Sequence, residues 1–172
     1  MNFDLLKSIE LLERTPQVYK SLFYRSTSDW TTINEGLNTW SAFDIVGHLI
    51  HGELTDWIPR AEIILSEDRS DKTFEPYDRF AQEKNSKGKT IDFLLEQFEE
   101  LREFNLVKLK SWNLSATDLL KKGTHSELGE VTLKQLITTW TIHGIGHLNQ
   151  ISRVIVKIIL KMLGHGENTL EY

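Results

Sequence analysis

The chain has 172 residues, enough for one domain with a sizeable core. Its composition, 40% hydrophobic and 26% charged, is that of a folded soluble protein and argues against disorder. A formal charge of −5 with no dense basic cluster speaks against a nucleic-acid surface, and the absence of cysteine excludes disulfides, thiolate metal sites and a cysteine nucleophile.

The start, Met1-Asn2-Phe3-Asp4, lacks the basic residues and apolar run of a signal peptide. The most apolar stretch, Val154 to Leu163, is interrupted by Lys157 and Lys161 and is too short to span a bilayer. No membrane partner is expected, and a cytoplasmic location is the default. Phe3, Leu5, Leu6, Ile9 and Leu12 recur at helical spacing and predict a first helix from Asn2 or Asp4. Thr15-Pro16 is expected to interrupt it, with Thr15 capping a second piece that ends near Ser26. Thr27 to Thr39 reads as a loop. Ser41-Ala42-Phe43-Asp44 resembles a capping box and opens a long helix to about Ser66, kinked at Pro59. After a charged loop, a short helix is expected over Tyr77 to Glu83 and a turn over Asn85 to Lys89.

Thr90 caps a third long helix with Ile91, Leu94, Leu95, Phe98, Leu101, Leu109 and Trp112 as its apolar stripe. A short helical turn follows at Ser115 to Asp118. Lys121 to Val131 is the only candidate for extended structure. Thr132-Leu133-Lys134-Gln135 is a good capping box for a last helix that runs to Leu163, closed by Gly164 and about 45 Å long. Four long helices with almost no strand predict an all-α four-helix bundle, a single helical domain over 1–172 with short accessory helices.

The last helix carries His143 and His147, four apart and so one above the other. With six histidines in the chain, such a pair arises by chance often enough to carry little alone. His48 on the second long helix is the expected third member. All three are flanked by apolar residues, and bundles build metal sites from inward side chains of facing helices. A lone histidine there is more simply a hydrogen-bonded core residue, but three on two helices are harder to satisfy without a divalent cation. Three histidine ligands leave positions open for water or substrate, the pattern of catalytic sites. Gly47, Gly144 and Gly146 beside them suggest room for close helix packing or for a ligand. Asp44 and Glu53 are expected as solvated or salt-bridged carboxylates. His51 is placed at the rim, His125 and His165 in incidental positions. The aromatic residues Trp40, Trp57, Trp112, Trp140, Phe43 and Phe98 are read as core fillers.

Leu11-Leu12-Glu13-Arg14-Thr15-Pro16, Thr39-Trp40-Ser41 through Gly47-His48-Leu49-Ile50-His51-Gly52-Glu53, and Trp140 through His147 to Gln150-Ile151 resemble the DinB-like family of metalloenzymes. The resemblance covers nearly the whole chain. It implies a four-helix bundle and a divalent metal, Zn²⁺ or Ni²⁺, held by His48, His143 and His147. It also implies a homodimer and a small-molecule substrate such as a low-molecular-weight thiol, in a thiol S-transferase or a metal-dependent hydrolase. Relatives often carry Asp directly after the first histidine of the closing pair, where this chain has Gly144. The alternative is a non-enzymatic helical bundle that binds a small ligand or a protein partner.

Overall fold

The computed structural model describes residues 3–164. The chain runs α1 (Leu5–Phe23), α2 (Ser28–Thr31), α3 (Ala42–Thr55), α4 (Trp57–Leu65), α5 (Ala81–Asn85) and α6 (Ile91–Ser111). A turn of 3₁₀ helix (Asp118–Leu120), β1 (Lys122–His125), β2 (Gly129–Thr132) and α7 (Leu133–Met162) complete it. The expected four-helix bundle is present. Helix α1 packs between α6 and α7, and α3 with its continuation α4 packs between the same two from the other side.

Each long helix starts on a side chain that accepts its free N–H groups. Asp4 accepts from Leu6 and Lys7, and Thr90 from Phe93. Ser41 with Asp44, and Thr132 with Gln135, form the two reciprocal capping boxes read from the sequence. Lys121 to Val131 does hold the extended structure. Strands β1 and β2 pair antiparallel from Lys122 opposite Thr132 to His125 opposite Gly129, and Thr73 joins the edge beside Thr124.

Four boundaries differ from expectation. Helix α1 runs unbroken through Pro16 and ends at Phe23 rather than near Ser26. Pro16 has no N–H to give the Leu12 carbonyl, and Arg102 Nη1 from α6 donates to that carbonyl instead, at 2.9 Å. Thr15 therefore caps nothing; its hydroxyl donates back to Leu11 O at 2.7 Å. The predicted loop 27–39 includes the single turn α2.

The long helix from Ser41 is divided at Asp56, whose φ of −108° and ψ of −68° separate α3 from α4. The ring of Pro59 crowds the carbonyl four residues back, that of Thr55, so the break falls just there. The helix expected over Tyr77 to Glu83 lies later, at Ala81–Asn85, and leaves Tyr77 in a loop. Asp78 Oδ1 accepts from the Phe80 N–H at 3.0 Å, a local turn that delays the helix start.

The core is in two apolar parts. One gathers Ile9, Leu12, Trp57, Leu106, Leu136 and Trp140; the other gathers Tyr19, Phe23, Ile45, Leu49, Phe98 and Ile151. Along every long helix a polar level separates them. At its centre are Glu53 and Arg102, each only 2% exposed. Glu53 Oε1 accepts from Arg102 Nε (3.0 Å), Arg102 Nη2 (2.7 Å) and Trp140 Nε1 (2.8 Å). Its Oε2 accepts from Asn105 Nδ2 at 2.9 Å, and the same nitrogen donates to Glu53 O at 2.8 Å. Glu53 is thus salt-bridged, as read from the sequence, but deep inside. A buried charge is tolerated only when paired and hydrogen-bonded on all sides, and this one is.

Removing one partner strands the other charge. Glu53→Leu should cost about 3–5 kcal/mol of stability in urea unfolding, and adding Arg102→Met should recover part of that loss. A single variant within 1 kcal/mol of the parent, on the order of an exposed pair, would refute the central role of this carboxylate.

Candidate metal centre

Two capping boxes aim the histidines. The Ser41 N–H and hydroxyl both donate to Asp44 Oδ2, at 2.9 and 2.6 Å, which sets the start of α3 nearly two turns before His48. Asp44 is occupied by this cap and takes no part in the centre. Thr132 and Gln135 start α7, and His143 and His147 follow on one face. Trp140, one turn before His143, is held by Glu53 of α3. The buried network therefore sets how α7 lies against the helix that carries His48.

The three predicted histidines meet. His48 Nε2 lies 3.0 Å from His143 Nε2, and His147 Nε2 lies 3.2 Å from the same atom. Nitrogens at about 2.1 Å from one cation and spread tetrahedrally would be about 3.4 Å apart, close to both spacings at His143. Among the described residues, the cluster of groups able to hold a metal is these three histidines, with no carboxylate in it. A neutral donor set leaves the charge of a divalent cation undiminished.

Aromatic rings enclose the imidazoles. Trp40 is tilted over His48 at 4.6 Å between ring centres and reaches His147 at 6.0 Å. Trp57 meets His143 edge-on at 5.2 Å and stacks on Trp140 at 6.2 Å. Tyr77 stands edge-on to His48 at 5.5 Å. Trp40 and Trp57 are thus walls of the centre as well as packing residues. Tyr77 is the residue that reading the sequence missed. It sits in the loop after Pro76, and nothing in the local pattern signals it.

Burial disfavours the charged imidazolium throughout. It pushes His143 down to about 2 and His48 down to about 3, with the neighbouring imidazoles adding to the effect. His147 is lowered by burial too, against a hydrogen bond to Gln150 that works the other way. The Tyr77 hydroxyl is pushed up, first by burial and then by Asp56, so it keeps its proton. All three imidazoles are consequently neutral near pH 7, the form that ligates a metal.

The other histidines stay apart from the three. His51 is partly exposed and packs its ring on Tyr77 at 4.9 Å. His125 Nδ1 accepts from the Glu127 and Leu128 N–H groups and shapes the β1–β2 turn. His165 lies outside the described residues. Gly47 and Gly144 allow close packing. A Cβ on Gly47 would collide with Ser86 of the turn after α5, and one on Gly144 would come within 3.0 Å of Thr15 Cγ2. At Gly146 a Cβ would meet nothing within 4 Å. Helix α1 thus passes close over Gly144, with Tyr19 Oη donating to the Gly144 carbonyl at 2.7 Å. An aspartate in that position would press on Thr15.

The sequence profile of the DinB superfamily matches residues 11–151, a span that contains all three histidines. The chain belongs to the DinB superfamily. Among curated proteins, none matches it. Among solved structures, the chain resembles YfiT from Bacillus subtilis, described as a probable metal-dependent hydrolase with an unusual four-helix bundle topology. The TM-score is 0.71 at 18% identity, with 96% of this chain and 92% of that chain covered. At this identity the likeness speaks for the DinB fold. No helix among the described residues is long and apolar enough to cross a membrane.

Neutral buried histidines tie this DinB bundle's stability to pH. In the unfolded chain each imidazole takes up a proton near pH 6.5, whereas in the folded chain His48 and His143 do so only near pH 3 or below. Between those values the unfolded state binds more protons, so stability falls as pH falls from about 6.5. The slope should reach up to about 1.4 kcal/mol per pH unit for each of the two. Urea midpoints of chelator-treated protein between pH 7 and pH 4 test this. His143→Gln should flatten the dependence, and an unchanged slope would contradict neutral burial.

Proposed function

We propose that His48, His143 and His147 hold a divalent cation, Zn²⁺ or Ni²⁺, and that the protein is a metal-dependent hydrolase acting on a small molecule. The observation that carries this reading is the convergence of three neutral imidazoles from two helices, with one ring nitrogen of each within 4.8 Å of the others. Three imidazoles do not distinguish sharply between the two metals, whose order of affinity for nitrogen ligands is close. A divalent ion bound there supplies Lewis acidity, which makes a water nucleophilic near neutral pH.

The chain's own groups do the rest. Gln150 Oε1 faces His147 Nδ1 at 3.0 Å and accepts its proton-bearing side, which turns the Nε2 lone pair inward. Trp40 and Trp57 keep water from the sides of the imidazoles. His143 and His147 retain partial exposure, so the centre is open to a small molecule on that side. The description of YfiT as a probable metal-dependent hydrolase supports the same reaction class. Nothing in the lining of the centre favours a thiol over water as the activated group. The non-enzymatic alternative would leave His143 as a core residue, which an apolar substitution should suit.

Metal analysis of protein purified without a histidine tag should find close to one equivalent per chain after incubation with excess Zn²⁺ or Ni²⁺. His143→Leu should abolish that and the rise in melting temperature that accompanies it, a stabilisation of about 2.7 kcal/mol at a hundredfold excess over Kd. Less than about a tenth of an equivalent in the parent, or a variant equal to it in metal content and melting, would overturn the reading.

A further inference from the structure

Tyr77 is placed with unusual economy over the back of His48. Its Oη lies 3.2 Å from His48 Nδ1 and 3.3 Å from the His48 carbonyl oxygen. The carbonyl can only accept, so the hydroxyl proton goes to it. The oxygen is then free to accept, and the only proton that Nδ1 can offer is its own. The opposite arrangement, with the hydroxyl donating to Nδ1, would set two acceptors against each other at 3.3 Å. One arrangement alone satisfies both contacts, and it puts the His48 proton on Nδ1 and the lone pair on Nε2.

We propose that Tyr77 is a positioning residue that locks His48 in the Nδ1–H tautomer and so presents Nε2 to the centre. Imidazoles free in water favour the other tautomer, so this preference has to be imposed by a partner. Gln150 imposes the same tautomer on His147 from within α7. For His48 the partner is brought from a loop about thirty residues away.

That loop is built to deliver it. The Phe74 N–H donates to Thr124 O and the Thr124 N–H to Lys72 O, both at 2.9 Å, which ties residues 72–74 to the edge of β1. Gly123 on that strand has no Cβ, and one there would overlap the Phe74 ring, which is 2% exposed. On the other side Arg60, paired with Asp56 at 2.5 Å, donates Nη2 to the Glu75 carbonyl at 3.3 Å and lies over the Phe74 ring at 5.2 Å. Residues 72–75 are thus fixed from β1 and α4, and Tyr77 follows two residues later. The small sheet and the buried Asp56–Arg60 pair, which take no part in the histidine cluster, hold the loop that orients it.

The proposal goes beyond the metal reading, and its first test does not need a metal. In chelator-treated protein at pH 7.5, ¹H–¹⁵N long-range spectra of the imidazoles should show His48 as the Nδ1–H tautomer. In Tyr77→Phe, which removes only the hydroxyl, His48 should shift toward Nε2–H while His147 stays as it was. Zn²⁺ affinity measured by competition with a chelating dye should fall about 10–100-fold in the same variant. An Nε2–H tautomer at His48 in the parent overturns the proposal whether or not the variant folds. So does a Tyr77→Phe protein with parental tautomer and parental Zn²⁺ affinity. Absence of Zn²⁺ binding in both proteins would overturn the metal reading, and the tautomer at His48 would then decide this one.

Discussion

The Glu53 carboxylate gathers four N–H donors from α6 and α7 onto a residue of α3. A charge enclosed in the interior has no water to fall back on, so each lone pair must find a donor and each donor must be brought to it. That requirement fixes how α3, α6 and α7 stand relative to one another along the bundle. Arg102 extends the constraint to the fourth helix through the Leu12 carbonyl that Pro16 leaves free. The interior is thereby tied at one level across all four helices, between the two apolar clusters. The histidines lie beside that level, because His48 is a little over one turn before Glu53 and His143 is one turn after Trp140.

Around the centre, burial and hydrogen bonding work in one direction. Apolar and aromatic neighbours keep the imidazoles uncharged, and oxygen partners behind His48 and His147 take up the Nδ1 protons. What remains is a set of nitrogen lone pairs turned toward one point. The cost of burying three polar rings falls on the folded state and is offset when a cation takes their lone pairs. The parts that look peripheral, the β1–β2 pair and the turn of Asp56 into α4, are joined to the centre through the loop that ends at Tyr77.

Much of this was legible in the residues themselves. Caps at Ser41, Thr90 and Thr132 depend on the chemistry of three or four adjacent residues, and all three stand where the sequence puts them. The helical periodicity around His143 and His147 fixes their common face for the same reason. Pro16 and Pro59 show where local reading stops. Each lacks an N–H, and sequence alone predicts an interruption at Pro16 and a kink at Pro59. At Pro16 a distant guanidinium satisfies the orphaned carbonyl and α1 continues; at Asp56, just before Pro59, the helix does break.

The local and periodic features were therefore determined by the sequence: four amphipathic helices, their starts, and a pair of histidines on one face of the last. His48, on the second long helix, was read as their companion from its apolar flanks, and a family likeness pointed to the same residue. Only the tertiary structure decided that the three imidazoles converge, that Glu53 lies at the centre of the interior, and that a loop tyrosine stands behind His48. The physical reason is range. Capping and helical periodicity act over a few residues of chain, whereas the His48–His143 and Tyr77–His48 contacts join positions 95 and 29 residues apart. Those contacts exist only once the packed core has brought the segments together.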